Sequence, residues 1–442
     1  MNATILPLPG IRAPIQQIGH FIRIGHVGHK IESLLEQGRF PAGRVVVEAS
    51  ELKSQRDLLN AFKSRGIEIV LDTNVAELSE IGRFDGLAKS APWAQNGGGG
   101  PLRPEHFRKD HPDDLLSAIA RVAVKFKVDA ILAPCHFLFY GSKDGWFDVD
   151  RKSCELLRDA LDREGGKNIS IDYPLMSTYA DLRDDAVRGF FVAGLQSLPF
   201  ENLWIRTSGF GSDATPVGCK RYLSALANIH NLGKPIIADS LGGLVGLSSL
   251  AFGVISGISH GIGENERFDA AGWNKPRKKA EEGKPGGGRS IRISIPGLDK
   301  SLTESELKSL AAASGGHRLV VCRDRSCCAH GVDDMISSWR AHALHRAVNS
   351  IRELEAVPDQ RRARHFLDNE MTNATRIAHQ ISSLNVADVE LSARLKKHSR
   401  KMDEMRSTLN NFHEIRGDLM PRAAALNART DQHQSQIERN SK

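Results

Sequence analysis

Short runs of almost unbroken apolar residues recur along this chain, each followed by a polar turn and then by an amphipathic stretch. The runs are RVVVEAS (44–50), IEIVLDTN (67–74), DAILAPCH (129–136), NISIDYP (168–174), NLWIRTSG (202–209), KPIIADSLGG (234–243), GVISGISHG (253–261) and HRLVVCRD (317–324). Half-exposed strands alternate apolar and polar residues. Runs this continuous in Val, Ile, Leu and Ala are expected of strands buried on both faces. The stretches between them, such as SELKSQRDLLNAFKSRG and DRKSCELLRDALDREGG, space their apolar residues as helices do, and several end in Gly, the common helix stop. Alternating β and α units predict a parallel sheet, and eight of them favour closure into a (β/α)8 TIM-type barrel. An open doubly wound sheet is the alternative.

The same pattern divides the chain. Residues 1–43 hold FIRIGHVGHKIESLLEQG, a glycine-histidine loop leading into a helix. The barrel is expected over 44–330, with a long Gly/Pro loop at 87–112 and a polar insertion at 264–290. Residues 331–442 are expected to form a helical extension with a frayed polar tail. Within it, Leu384, Val389, Leu391, Leu395, Met402, Met405, Leu409 and Phe412 form an apolar stripe amid charges, fit to pack on the barrel or on a second copy of the chain.

Composition narrows the setting. The chain has 442 residues, enough for one large barrel and an accessory segment, and 40% are hydrophobic. No apolar run is long enough to span a bilayer, and MNATILPLPGIRAP lacks the pattern of a secretory signal. Six cysteines, three scattered and three clustered, do not form a disulfide framework. A cytoplasmic protein without a membrane partner is expected. A net charge of +7 permits nucleic acid as a partner, although solvated helix faces are the preferred account of it, since no arginine-rich arm or RNA-binding signature is present.

Barrel enzymes draw their chemistry from the C-terminal ends of the strands. Here those ends carry Glu48, Asp72 with Asn74, His136, Asp172 with Tyr173, Arg206 with Ser208, Asp239, His260 and Asp324. Asp172 and Asp239 follow apolar triplets and are the leading acid, base or nucleophile candidates; His136 and His260 are candidates for proton transfer. Glu48, Asp72 and Arg206 are candidate substrate contacts, Arg206 because its planar fork binds carboxylate or phosphate in two places. Gly242 and Gly243, in DSLGGLVGL, let backbone approach a ligand closely. The segment VVCRDRSCCAHGVDDMISSWRAHALHRA brings Cys322, Cys327 and Cys328 near two helical histidines, His342 and His345. These are the thiolate and imidazole donors that zinc prefers, although a cluster of reduced cysteines is the equal alternative.

In this order of parts the chain resembles the tRNA-guanine transglycosylase type of barrel. DSLGGLVGL is similar to that family's glycine-rich substrate loop, and CRDRSCCAHG…AHALH to its zinc region. The resemblance implies a (β/α)8 barrel, a nucleobase substrate, base exchange in nucleic acid through an aspartate, and a zinc site just after the barrel. The seventh run, GVISGISHG, carries no aspartate, so no catalytic assignment passes from the family. The functional expectation is a barrel enzyme acting on a small polar or anionic substrate, a nucleobase being the class implied. The rival is a non-catalytic barrel scaffold or nucleic-acid binder working through its C-terminal helices.

Overall fold

The computed structural model describes residues 17–109, 114–139, 145–263, 266–276, 291–416 and 422–426. Most of the predicted insertion at 264–290 and the expected polar tail lie outside them.

Eight parallel strands close into a barrel: β1 (Gly19–Arg23), β2 (Arg44–Glu48), β3 (Glu68–Asp72), β4 (Ala130–Leu132), β5 (Ser170–Thr178), β6 (Leu203–Ser208), β7 (Ile236–Asp239) and β8 (Gly257–His260). Each pairs in parallel with the next, and β8 returns to β1 through Gly19–Gly257 and Phe21–Ser259. The main crossover helices are α1 (Gly28–Glu36), α2 (Arg56–Ser64), α3 (Leu115–Lys125), α4 (Trp146–Arg163), α5 (Asp185–Leu195), α6 (Pro216–Ala227) and α7 (Gly243–Ala251).

The expected barrel is present, but its eighth strand is not where the apolar runs placed it. HRLVVCRD does not form a strand: Gly316–Val320 is a short helix outside the barrel. The missing strand is β1, in the segment expected to be only a loop and a helix. Its five residues GHFIR are all buried, yet they alternate between two different surroundings. Phe21 points into the barrel beside Trp204, while Ile22 joins the layer under the helices.

The extension folds back on the barrel. A two-stranded hairpin (Ile293–Ser294 with Ser301–Leu302) leads to helices α8 (Trp339–Glu355), α9 (Thr372–Ser382) and α10 (Val389–Arg416). The α10 stripe from Leu391 to Phe412 is buried, with the Phe412 ring 5.5 Å from Phe252 of the barrel shell, whereas Val389 is exposed. The stripe is therefore consumed within the chain. Residues 422–426 cross the opposite end of the barrel, where Leu426 joins the interior cluster and Ala423 donates its N–H to the Gly253 carbonyl. No described helix is long and apolar enough to cross a membrane.

Candidate functional site

Side chains two apart on a strand share a face. Five strands use this spacing in one way: an apolar residue fills the barrel interior, and an ionisable residue stands two positions later. The pairs are Phe21–Arg23, Val46–Glu48, Val70–Asp72, Trp204–Arg206 and Ile237–Asp239. The apolar members make one interior layer, and the ionisable members stack above it toward the C-terminal mouth.

Four of these groups form a closed ring of charges. Arg23 grips Asp239 with Nε (2.8 Å) and Nη2 (2.6 Å) and reaches Asp72 with Nη1 (2.8 Å). Arg206 donates from Nε to Asp239 (2.7 Å) and from Nη2 to Asp72 (2.8 Å). All four are buried. Burial alone would raise the carboxyl pKa values. Arg206 and Arg23 overcome that and hold Asp72 and Asp239 below the ordinary carboxylate range. Arg206 keeps one nearly unused donor, Nη1, whose nearest partner is the Met176 sulfur at 3.5 Å.

Two arginines balance two aspartates, so further carboxyls at the same place have no countercharge. Glu48 lies beside Asp72 in the β2–β3 register. Burial, reinforced by the Asp72 charge, pushes its carboxyl up to about 7. Glu77, just beyond β3, is pushed the same way by the same two causes, and its Oε2 is buried without a partner among the described residues. The site thus holds carboxylates locked in the ionised state next to carboxyls driven toward neutrality.

Aromatic rings roof the mouth. Phe268 stands over Arg206, whose guanidinium carbon is 5.5 Å from the ring centre, and is itself flanked by Trp273 (5.3 Å) and Phe137 (6.1 Å). Phe268 is held by pairing with Ser208 at the end of β6.

The other candidates are dispersed. His136, past the end of β4, is buried; its Nδ1 meets Asp150 Oδ1 at 2.5 Å and its ring stacks on Trp146 at 3.7 Å. Its Nε2 has no hydrogen-bond partner among the described residues. Asp172 lies deeper in the barrel, where Trp204 Nε1 (2.8 Å) and Asn202 Nδ2 (2.9 Å) donate to it, a layer below Arg206. His260 alternates with the interior Ser259 and faces the helical extension. Its Nδ1 donates to the Gly261 carbonyl (2.7 Å), so its Nε2 accepts from His20 Nε2 at 3.0 Å. Gly242 and Gly243 also lie outside the barrel mouth. A Cβ on Gly243, already at φ +58°, would meet Asp299 Oδ1 at 2.6 Å, and that oxygen accepts the Leu244 N–H. Sequence reasoning missed Arg23, because β1 was missed, and Asp150, which sits on a helix distant from its partner.

The cysteine cluster assembles around one histidine. Ligand atoms of Cys322, Cys327, Cys328 and His342, all buried, lie within 4.8 Å of one another. His342 Nδ1 is 3.3 Å from Cys327 Sγ and 3.4 Å from Cys328 Sγ, and the two sulfurs are 3.6 Å apart. The opposite ring nitrogen, Nε2, donates to the Ser294 carbonyl (3.0 Å), which leaves Nδ1 bare toward the sulfurs. A hydrogen bond from the Cys328 thiol brings Cys327 down to about 4 and raises Cys328. Tetrahedral zinc sets its sulfur ligands about 3.8 Å apart, so these four residues could hold a metal ion with little movement. His345 is outside the group; its Nε2 pairs with Asp324 at 2.7 Å.

No protein-family model and no curated protein matches the chain. Among solved structures, it is similar to a type I 3-dehydroquinate dehydratase from Clostridium difficile (TM-score 0.34, 10% identity, 59% of this chain and 90% of that one). It is also similar to KGPDC from Streptococcus mutans (0.34, 12%, 59% and 94%) and to an endo-1,4-beta-xylanase from Penicillium canescens (0.36, 10%, 55% and 81%). Likeness at this level has no bearing on the chemistry of this chain.

Proposed function

We propose that this chain is an enzyme that moves protons on a small polar or anionic substrate at the barrel mouth, with a nucleobase as the substrate class. The observation that carries this is the opposition between Glu48 and Asp72 on adjacent strands: one carboxyl pushed toward neutrality, the other held ionised. Pairs pushed apart in this way divide acid and base roles between chemically similar groups. Glu48, half-buried, is the exchanging acid or base. Asp72 and Asp239, clamped by two guanidinium groups, stay ionised and set the field in which Glu48 works; base exchange here would be a direct displacement, the incoming base bonding to the sugar carbon as the bond to the old base breaks and Glu48 protonates the base that leaves. Arg206 Nη1 is the donor left for a substrate oxygen or nitrogen. Zinc on Cys322, Cys327, Cys328 and His342 would be structural, because four protein ligands leave no open position. The nucleobase class rests on the resemblance to the transglycosylases. A scaffold acting through the C-terminal helices is the weaker reading, since the α10 stripe is already packed on the barrel.

The test is incorporation of labelled guanine into bulk tRNA or duplex DNA by the full chain. Incorporation is expected, with the Glu48→Gln protein slower by roughly 10²–10⁴-fold. No incorporation by the wild type would remove base exchange. Glu48→Gln also has a stability readout. A carboxyl whose folded pKa is raised contributes stability at low pH and loses it as pH rises toward the folded value. The wild type should therefore lose stability relative to the variant as pH rises from about 4.5 to about 7, and the variant should melt higher than wild type at both pH 7 and pH 8. A lower melting point would make Glu48 a structural residue.

A further inference from the structure

A cavity of about 1250 Å³ lies away from the barrel interior, between the barrel shell and the extension. Its inner wall is the start of α6 and α7 with His260; its outer wall is the 293–302 hairpin with α8, α9 and α10. It exceeds the roughly 300–1,000 Å³ usual for a small-molecule site.

Cations converge on it from three elements. Lys300 comes from the hairpin, Arg346 from α8, and Arg394, Lys397, Arg400 and Lys401 from α10. Residues three apart on a helix share a face, so 394, 397 and 400 form one charged ridge. Countercharge is scarce. Glu306 is shared between Arg394 and Arg292. Lys401 Nζ has the Asp213 carbonyl at 3.2 Å. Lys300, Arg346, Lys397 and Arg400 have no ion-pair partner among the described residues. Five acids also line the cavity against seven cations: Asp213 pairs with Arg267 (2.8 Å), burial pushes Asp299 up to about 7 and raises Glu370, and Glu266 and Glu404 make no ion pair among the described residues, so the cations outnumber the ionised acids. Burial and the charges of Arg394 and Lys401 lower Lys300, the sign of cations held together against their repulsion.

We propose that this cavity binds a compact oligophosphate, such as the phosphate chain of a nucleotide. Uncompensated cations in a walled space cost free energy when the site is empty and recover it when an anion enters. Phosphate suits them because each group carries several strong acceptors, which arginine forks and lysine ammonium groups engage together. Convergence from three elements into a cavity favours a compact anion over a strand lying along an open surface.

The experiment is titration calorimetry of the full chain with inorganic tripolyphosphate, set beside Lys300→Gln/Lys401→Gln and the control Lys396→Gln. Lys396 is exposed on α10 and does not line the cavity. Saturable binding is expected, weakened about tenfold or more in the double variant and unchanged in the control. Without ligand, the double variant should melt at or above the wild-type temperature, because it loses repulsion and no ion pair. Absent binding, or equal weakening in control and double variant, would overturn the proposal. So would a single-stranded oligonucleotide that binds this cavity more tightly than tripolyphosphate, because the cations would then serve a nucleic-acid backbone.

Discussion

Replacing Arg23 with methionine should remove roughly 3–5 kcal/mol of stability at pH 7, read from urea unfolding. The guanidinium supplies three of the five hydrogen bonds in the charge ring, and its loss leaves Asp72 and Asp239 sharing Arg206 alone. Two buried carboxylates cannot both stay ionised beside one cation, so one must take up a proton or the mouth must open to water. The pH dependence follows. In the wild type both aspartates have depressed pKa values. Their contribution is present above the unfolded value near 4 and is lost as pH falls through the folded values. In the variant at least one aspartate titrates higher, so the deficit should be largest at neutral pH and shrink in acid. Adding Asp239→Leu to Arg23→Met removes one charge of each sign and should recover much of the loss. A single variant within about 1 kcal/mol of wild type would mean that the four groups do not act as a coupled unit.

Chelation should produce the second large effect. The purified protein is expected to carry one zinc per chain, measured by elemental analysis, and to lose it in Cys327→Ser/Cys328→Ser and in His342→Ala, but to keep it in His345→Ala. Structural zinc in small domains binds with about 10–16 kcal/mol of apparent free energy at neutral pH. Here the ligands join the 322–328 segment to α8, and His342 continues to the hairpin through Ser294. Metal removal should therefore abolish amide protection in the hairpin and α8 while the β2–β7 strands keep theirs. If the wild type carries no metal and His342→Ala melts with it, the four residues are a reduced thiol pocket.

What the sequence disclosed follows from how far each interaction reaches along the chain. Continuous apolar runs gave seven of the eight strands, because strands buried on both faces leave that signal locally. β1 left none, since GHFIR carries histidine and arginine, and Arg23 is tolerated there only because Asp72 and Asp239 arrive from elsewhere. LVVC at 319–322 imitates a strand because Val320 and Cys322 are buried in a junction, not a sheet. Asp72, Arg206 and Asp239 were legible as strand ends; their meeting was not. Choosing between His342 and His345 needed the rotational phase of α8, which composition does not contain. The Asp150–His136 pair had no sequence signal, because the helix that supplies the carboxylate was read only for its apolar face.

Leu426 has a consequence for how the chain assembles. Gly19 and Gly257 put no side chain on the β1–β8 seam at the lower end of the barrel; a Cβ on Gly19 would come 3.0 Å from the Leu426 methyl group, and one on Gly257 would meet the Gly19 backbone at 2.8 Å. The hollow they leave is filled by a residue far along the chain, after the whole extension. Contacts between distant positions slow folding, because loop-closure entropy is spent before they form. During synthesis the strands can pair well before Leu426 emerges from the ribosome, so the nascent barrel would pass through a stage with an unfilled floor. In that interval the two-glycine seam lacks the side chain that covers it, and chaperone dependence should concentrate there.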